Sequence, residues 1–165
     1  MEVKMTPLNG MDVAGKRVLL RLDINSPIDP QTKRIVNDNR IKKSLPTLCY
    51  LLDGGAKVAI IAHQGDTLDY QNLIPLKEHA EKLTILSGRE VKYIDDVCGP
   101  AACEAVNALR EGECILLGNL RYLCEEISGF EKEVKLQPCE MLDTWLVRTL
   151  APLFDLYVND AFSAA

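Results

Sequence analysis

The stretch KVAIIAHQG, residues 57–65, joins a continuous apolar run to an abrupt polar end. Residues 57–62 are a predicted strand, and an apolar run without polar alternation is typical of a strand that is buried on both faces. Four more strands of similar composition are predicted at residues 16–22, 91–94, 113–117 and 154–158. Strands of this kind belong to parallel sheets that are covered by helices, so this stretch indicates the fold class.

Helical patterns separate the predicted strands. Residues 37–53 carry apolar side chains at helical spacing, and Gly54 and Gly55 end the pattern. Pro46 lies inside it and predicts either a kink or a first helical turn at that point. Further helices are predicted at residues 73–86, 100–109 and 136–150. The alternation predicts an α/β fold, a Rossmann-like three-layer sandwich in which a parallel sheet has helices on both faces.

The composition bounds the kind of protein. The chain has 165 residues, 47% of them hydrophobic and 26% charged, which suits a single domain over residues 1–165 and excludes disorder as the main state. The net charge of −5 argues against a nucleic-acid partner, so an anionic ligand would need a local cluster of basic side chains. No apolar run approaches the roughly 20 residues of a membrane span, and residues 1–10 do not resemble a signal peptide. We therefore expect a cytoplasmic protein with no membrane partner.

Motifs for metals, nucleotides and nucleophilic catalysis are absent from the sequence. The six cysteines form no CxxC pair and fit no zinc spacing, so reduced and mostly buried thiols are expected. Asp95 and Asp96 are expected to cap the helix that begins near Pro100 rather than to bind a metal. Neither a glycine-rich phosphate loop nor a nucleophile elbow is present. We expect neither a nucleotide cofactor site nor a metal site in this chain.

Polar side chains follow the predicted strands. In open parallel sheets, ligands bind outside the carboxyl ends of the strands. Asp23 and Asn25 follow the first strand, His63 follows the second, and Arg121 follows the fourth. Arg40, His63 and Arg121 would form a local positive patch suited to phosphate or carboxylate, while Asp23 and Asn25 suit hydroxyl groups. The pattern predicts a small, hydroxylated, anionic metabolite as the ligand.

Each of these residues also has a purely structural interpretation. An arginine after a strand commonly forms a surface ion pair. His63 is compatible with a buried structural histidine, and Asp23 with a turn or a helix cap. The prediction of a site therefore rests on the combined pattern, because separate loops place polar groups at one edge of the sheet.

Six segments, taken in order, resemble the N-terminal domain of the phosphoglycerate kinase family. They are GKRVLLRLDINSPID at residues 15–29, NDNRI and LPTL within 37–48, GAKVAIIAHQG at 55–65, IDDVCGP at 94–100, LLGNLRY at 116–122 and YVNDAFSAA at 157–165. As an ordered set they extend along nearly the whole chain and are highly specific. The NSPID loop and the HQG triplet resemble the archaeal branch of the family most.

The resemblance implies a two-domain enzyme, of which this chain is the substrate-binding part. Members of the family transfer a phosphoryl group reversibly between 1,3-bisphosphoglycerate and ADP, giving 3-phosphoglycerate and MgATP in glycolysis and gluconeogenesis. The chain would bind the phosphoglycerate, and a C-terminal domain that it lacks would bind Mg-ATP or Mg-ADP. The end at Ala165, just after a strand, is accordingly expected to be a truncation. The chain alone would be an inactive part of a monomeric kinase.

The resemblance also implies a role for each site residue. Arg40 would bind substrate and act as the catalytic residue, because a positioned cation stabilises the charge on a transferring phosphoryl group. Asp23 and Asn25 would contact the hydroxyl and carboxylate region of the glycerate. His63 and Arg121 would bind its 3-phosphate. The remaining substrate-binding residues would be those that follow the histidine, namely Gln64, Gly65 and Asp66.

Two residues depart from the family pattern. Asp66 stands where the family has the arginine of a His-x-Gly-Arg loop, and this reverses the local charge. Gly118 stands where the family has a glutamate before Asn-Leu-Arg. Asp66 motivates one alternative, a diverged phosphotransferase that acts on another acid. The abrupt end of the chain motivates a second, a binding module without catalysis.

Overall fold

Five parallel strands form the sheet in the described part of the chain. The computed structural model describes residues 6–66 and 70–161. The strands are β1 (Arg17–Leu22), β2 (Lys57–Ile61), β3 (Val91–Tyr93), β4 (Cys114–Leu116) and β5 (Leu156–Asp160). Their order in the sheet is β3-β4-β2-β1-β5, and each neighbouring pair is parallel. All five predicted strands are present, and the predicted α/β class is confirmed. The last four residues of the YVNDAFSAA segment lie outside the described residues.

Helices connect the strands. They are α1 (Asn39–Asp53), α2 (Lys77–Ser87), α3 (Pro100–Ala108), α4 (Ser128–Val134) and α5 (Trp145–Leu150). α1 ends at Gly54 as predicted, and Pro46 lies in its interior, so the alternative that Pro46 marks a first turn is wrong. α2 begins later than predicted, because Pro75 holds the residue before it out of helical geometry. No helix in the described ranges is both long enough and apolar enough to cross a membrane.

The helix predicted over residues 136–150 is only partly present. α4 ends at Val134, and the next residue, Lys135, has a left-handed φ of 53°. The next segment contains a 3-10 turn, Glu140–Asp143, where an α-helix was predicted, and α5 begins only at Trp145. Pro138 explains the difference, because proline donates no N–H and disfavours helical geometry in the residue before it.

Helices cover both faces of the sheet. On one face, Leu48 of α1 and Leu83 of α2 belong to a core that includes side chains of β1 and β2. On the other face, Val106 of α3 and Leu150 of α5 belong to a second core. These two cores and the sheet between them make the predicted three-layer sandwich.

The central strand β2 is buried on both faces, as its apolar run predicts. Val58 and Ile60 belong to the first core, and Ala59 and Ile61 belong to the second. β1 and β5 differ, because buried or half-buried positions alternate in them with more exposed ones. β3 likewise has one buried, one exposed and one half-buried residue. The prediction of burial on both faces therefore holds for β2 and β4 but not for β1, β3 and β5.

Of the two aspartates predicted to cap α3, Asp96 does so, whereas Asp95 accepts the Tyr93 hydroxyl instead. The Asp96 carboxylate accepts the backbone N–H of Gly99 at 2.8 Å and that of Ala102 at 3.0 Å. The first N–H groups of a helix have no acceptor inside the helix, so this carboxylate supplies one. Pro100 occupies the first turn, where its missing N–H leaves no bond unmade.

The six cysteines are free thiols. Cys98 and Cys114 are buried, whereas Cys124 and Cys139 are exposed. Cys49 and Cys103 are half-buried, so the prediction that the thiols are mostly buried holds only for Cys98 and Cys114. Both exposed cysteines follow β4 in the segment of short turns, where no continuous element covers them.

Candidate active site

A cavity of about 790 Å³ opens where β1, β2 and β4 end. Its polar lining comprises Arg21, Asp23, Asn25, Arg40, His63, Arg121, Glu125 and Glu126. Five of these are predicted ligand-binding residues. The sheet register explains their convergence: β1 and β2 run parallel with Arg21 paired to Ile61, so the residues that follow each strand leave the sheet side by side.

The alternation of β1 continues past its end and aims its polar residues into the cavity. Leu22 and Ile24 are buried in the core, while Arg21, Asp23 and Asn25 are half-buried. Leu22 and Ile24 belong to the first core. Because side chains of an extended segment alternate between two sides, the three polar residues share the side that faces away from that core. The predicted pair Asp23 and Asn25 therefore reaches the cavity together, and Arg21 joins it.

Arg40 and Asp23 contact each other. The Arg40 Nη1 lies 2.7 Å from Asp23 Oδ1 and 2.6 Å from Asp23 Oδ2. Asp23 is 11% exposed and Arg40 is 51% exposed, so the carboxylate holds one nitrogen while much of the guanidinium faces solvent. Arg40 lies in the first turn of α1, where the helix dipole disfavours a cation. Helix stability therefore does not explain an arginine at this position.

His63 is neutral at pH 7. Burial, followed by the nearby charges of Arg121 and Arg21, lowers the pKa of His63 to about 4. The charges of Asp23 and Arg40 also act on this ring, which agrees with the convergence of these side chains. His63 thus differs from its prediction as part of a positive patch, because it offers a hydrogen bond rather than a charge.

Arg121 differs from the other arginines of the cavity. It lies in the 3-10 turn Leu120–Tyr122, and its backbone N–H donates to Asn119 Oδ1 at 3.1 Å. Its Nη1 is buried and has no hydrogen-bond partner among the described residues. A buried donor without an acceptor is costly, and a phosphate or carboxylate oxygen in the cavity would supply the acceptor.

Carboxylates balance much of the positive charge in the cavity. Arg21 Nη2 lies 3.0 Å from Glu126 Oε2, and both side chains are partly buried. Glu125 Oε1 accepts the backbone N–H of Leu146 at 3.1 Å, which ties the cavity to α5. The patch is therefore less positive than predicted. In the described ranges, no three His, Cys, Asp or Glu side chains are grouped to hold a metal ion.

Three residues of the predicted site do not line the cavity. The Gln64 side chain is 3% exposed, and its amide is bonded to the backbone of Ser26. Gly65 has φ of +97°, and a Cβ there would lie 2.8 Å from Asn72 O, so the position requires glycine. Asp66 is exposed and lies outside the lining. The geometry gives Gln64 and Gly65 structural contacts, and it leaves Asp66 outside the cavity lining.

Gly118 lies at a close backbone approach. Its N–H donates to Asp96 O at 2.9 Å. A Cβ at this position would lie 3.1 Å from both Asp96 C and Val97 Cγ2. The loop after β4 thus packs closely against the loop after β3 at Gly118. At this position the family pattern has a glutamate.

Fold and cavity together define a parallel α/β domain whose candidate site lies at the carboxyl edge of the sheet and contains three arginines. Residues 8–165 match the sequence model of the family described as phosphoglycerate kinase, and the chain belongs to this family.

Known relatives agree with this assignment. The phosphoglycerate kinase of Sulfurisphaera tokodaii is 42% identical over 164 residues, which are 99% of this chain and 38% of the relative. That of Thermococcus onnurineus is 45% identical over 92% of this chain and 34% of the relative. The crystal structure of the enzyme from Pyrococcus horikoshii superposes with a TM-score of 0.85 at 38% identity, covering 97% of this chain and 37% of that one. The chain thus spans about 38% of the length of such relatives.

Proposed function

We propose that this chain is the phosphoglycerate-binding part of a phosphoglycerate kinase. The complete enzyme transfers a phosphoryl group reversibly between 1,3-bisphosphoglycerate and ADP, and it forms 3-phosphoglycerate and MgATP. Family membership supports this reaction. The observation that carries the proposal for this chain is the presence of five predicted ligand-binding residues in one cavity: Asp23, Asn25, Arg40, His63 and Arg121.

Different cavity residues bind different groups of the ligand. Arg121 and His63 bind the 3-phosphate, which supplies the acceptor that the buried Arg121 Nη1 lacks among the described residues. Asn25 Oδ1 already accepts the backbone N–H of Gly65 at 3.2 Å, so its amide N–H groups are directed to the glycerate carboxylate. Asp23 accepts the hydrogen bond of the glycerate hydroxyl.

Arg40 has the catalytic role in this proposal. Asp23 holds one of its nitrogens, and about half of the side chain faces solvent, so the guanidinium is oriented before the second substrate arrives. It stabilises the charge on the phosphoryl group during transfer. The protein forms no covalent intermediate, and the rate enhancement comes from positioning and electrostatic stabilisation.

The proposal divides the enzyme into two parts. Residues 1–165 form the substrate domain, and Mg-ATP or Mg-ADP binds to the part of the enzyme that this chain does not span. Closure of the two parts aligns the substrates and excludes water. The chain alone therefore binds phosphoglycerate but transfers no phosphoryl group. The proposal also takes the complete enzyme to be a cytoplasmic monomer without a nucleic-acid partner.

A titration of the 165-residue chain tests the proposal. We expect 3-phosphoglycerate to bind and phosphate-free glycerate to bind at least about tenfold more weakly, since a charged hydrogen bond contributes roughly 1.5–3 kcal/mol. Arg121→Ala should weaken 3-phosphoglycerate binding by a similar factor. Arg89→Ala is the matched control, because Arg89 pairs with Asp53 outside the cavity. Calorimetry gives the Kd values, and NMR verifies that each chain is folded.

Two outcomes would contradict the proposal. One is a folded parent chain that does not bind 3-phosphoglycerate. The other is equal binding of glycerate and 3-phosphoglycerate, which would mean that the cavity does not recognise the phosphate.

A further inference from the structure

Gln64 joins the loops that carry the cavity residues. Its backbone N–H donates to Asn119 Oδ1 at 3.2 Å, and Asn119 Nδ2 donates back to Gln64 O at 2.9 Å. Its side-chain amide forms a second reciprocal pair, in which Oε1 accepts Ser26 N at 2.9 Å and Nε2 donates to Ser26 O at 3.0 Å. One buried residue thus connects the loops that follow β1, β2 and β4.

The cavity residues are close neighbours of this junction. Asn25 precedes Ser26, and His63 precedes Gln64. Arg121 is bonded to the same Asn119 Oδ1 that accepts the Gln64 N–H. The Gln64 side chain thus fixes the loop of Asn25, whereas the Gln64 backbone fixes the loop of Arg121. A shift of the side chain would therefore change the spacing of Asn25 from His63 and Arg121.

His79 supports the junction from α2. It is fully buried, and its Nε2 lies 3.0 Å from Gln64 Oε1. The two bonds with Ser26 fix which amide atom is oxygen, so the atom that faces His79 is an acceptor. His79 Nε2 must then carry the proton and donate it. Burial lowers the pKa of His79 to about 4, so the ring is neutral at pH 7.

We propose that His79 and Gln64 are positioning residues of the phosphoglycerate site. The hydrogen bond from His79 Nε2 to Gln64 Oε1 holds the amide against Ser26, and this sets the distance of Asn25 from His63 and Arg121. Neither residue lines the cavity. The inference rests on the proposed function, in which those three groups bind one ligand.

This role predicts a difference between two ligands. 3-Phosphoglycerate must contact Asn25, His63 and Arg121 at once, whereas inorganic phosphate needs only Arg121 and His63. A change in the spacing of these residues should therefore weaken the binding of 3-phosphoglycerate more than the binding of inorganic phosphate. A residue that only stabilises the fold would leave the ratio of the two affinities unchanged once the chain is folded.

The test compares His79→Leu with His79→Gln, because glutamine retains a donor of similar reach. We expect His79→Leu to raise the Kd for 3-phosphoglycerate about tenfold, the effect of one lost hydrogen bond, and to change the Kd for phosphate by less than about twofold. His79→Gln should recover most of this loss. Leu83→Ala is the matched control: Leu83 is fully buried on the same helix, so this change should lower stability and leave both Kd values unchanged.

The proposal is overturned if His79→Leu weakens both ligands equally, if it weakens neither, or if His79→Gln is as weak as His79→Leu. Should His79→Leu fail to fold, Gln64→Met removes the same acceptor with little change of shape, and the same expectations apply. If the parent chain does not bind 3-phosphoglycerate, the proposed function fails and amide exchange still decides the positioning role. The Ser26 amide, which donates to Gln64 Oε1, should then exchange faster in His79→Leu than in Leu83→Ala, and unchanged exchange would overturn the role.

Discussion

The three arginines of the cavity are prepared for a ligand in different ways. Arg40 and Arg21 are held by Asp23 and Glu126, so their orientation is fixed before a ligand arrives. Arg121 has a buried nitrogen without an acceptor in the described part of the chain. The first two are oriented by carboxylates, and the third leaves a buried donor for which an anion would supply the acceptor.

The residues of this site can be predicted from the sequence more easily than the ion pairs that they form. Asp23 and Arg121 follow apolar strands, a local signal that can be read directly. Glu126 pairs with Arg21 across 105 positions, and no local pattern distinguishes it from the acidic residues around it. The predicted patch is too positive for two reasons: His63 is neutral because burial lowers its pKa, and Arg40 is paired with Asp23, a contact that neither residue's position along the chain reveals.

The charge reversal at Asp66 should have little effect on binding. Asp66 is exposed and lies outside the cavity lining, so Asp66→Arg should change the Kd for 3-phosphoglycerate by less than about twofold, within what screened surface charge contributes. Calorimetric titration of the variant beside Arg121→Ala measures this. A gain of about tenfold would mean that this position contacts the ligand, and it would revive the alternative of another acid as substrate.

At the scale of elements, the strands were easier to predict than the segment after β4. The apolar run of β2 is buried by helices on both sides, so its local composition and its environment agree. Residues 136–144 carry a helical pattern, but Pro138 interrupts it, and the segment forms a 3-10 turn instead. In this segment the effect of Pro138 on the backbone outweighs the helical spacing of the apolar residues.

The cap of α3 yields a prediction at this scale. Asp96→Ala removes the acceptor of two backbone N–H groups, so it should lower the free energy of unfolding by about 1–2 kcal/mol. Asp95→Ala is the control, because Asp95 is exposed and contacts the Tyr93 hydroxyl rather than the helix. Urea denaturation of both variants measures the difference. Equal losses would mean that the Asp96 carboxylate does not stabilise the helix.

At the scale of the whole molecule, buried neutral histidines make stability depend on pH. The pKa of His79 is about 4 in the folded chain, against 6.5 for an exposed histidine, so the unfolded chain takes up a proton first as the pH falls. This contribution to stability is complete above pH 6.5 and is lost between pH 6.5 and pH 4. His63 acts in the same direction.

We expect the free energy of unfolding to fall by roughly 2–3 kcal/mol between pH 7 and pH 4.5 through His79 alone. Urea denaturation across this range measures the slope, and His79→Gln removes the titrating group. The variant should therefore show a shallower pH dependence than the parent. Identical slopes would mean that His79 is not held neutral by burial.

The strand order has a consequence for synthesis. β4 lies between β2 and β3, although β3 precedes it along the chain. A nascent chain that has left the ribosome only as far as Tyr93 therefore has a third strand with no partner, and Cys114–Leu116 must insert into a gap rather than extend an edge. Arg121 follows that strand directly. The cavity is thus complete only after β4 has been made, because Asp23 and Arg40 belong to the first half of the chain and Arg121 to the second.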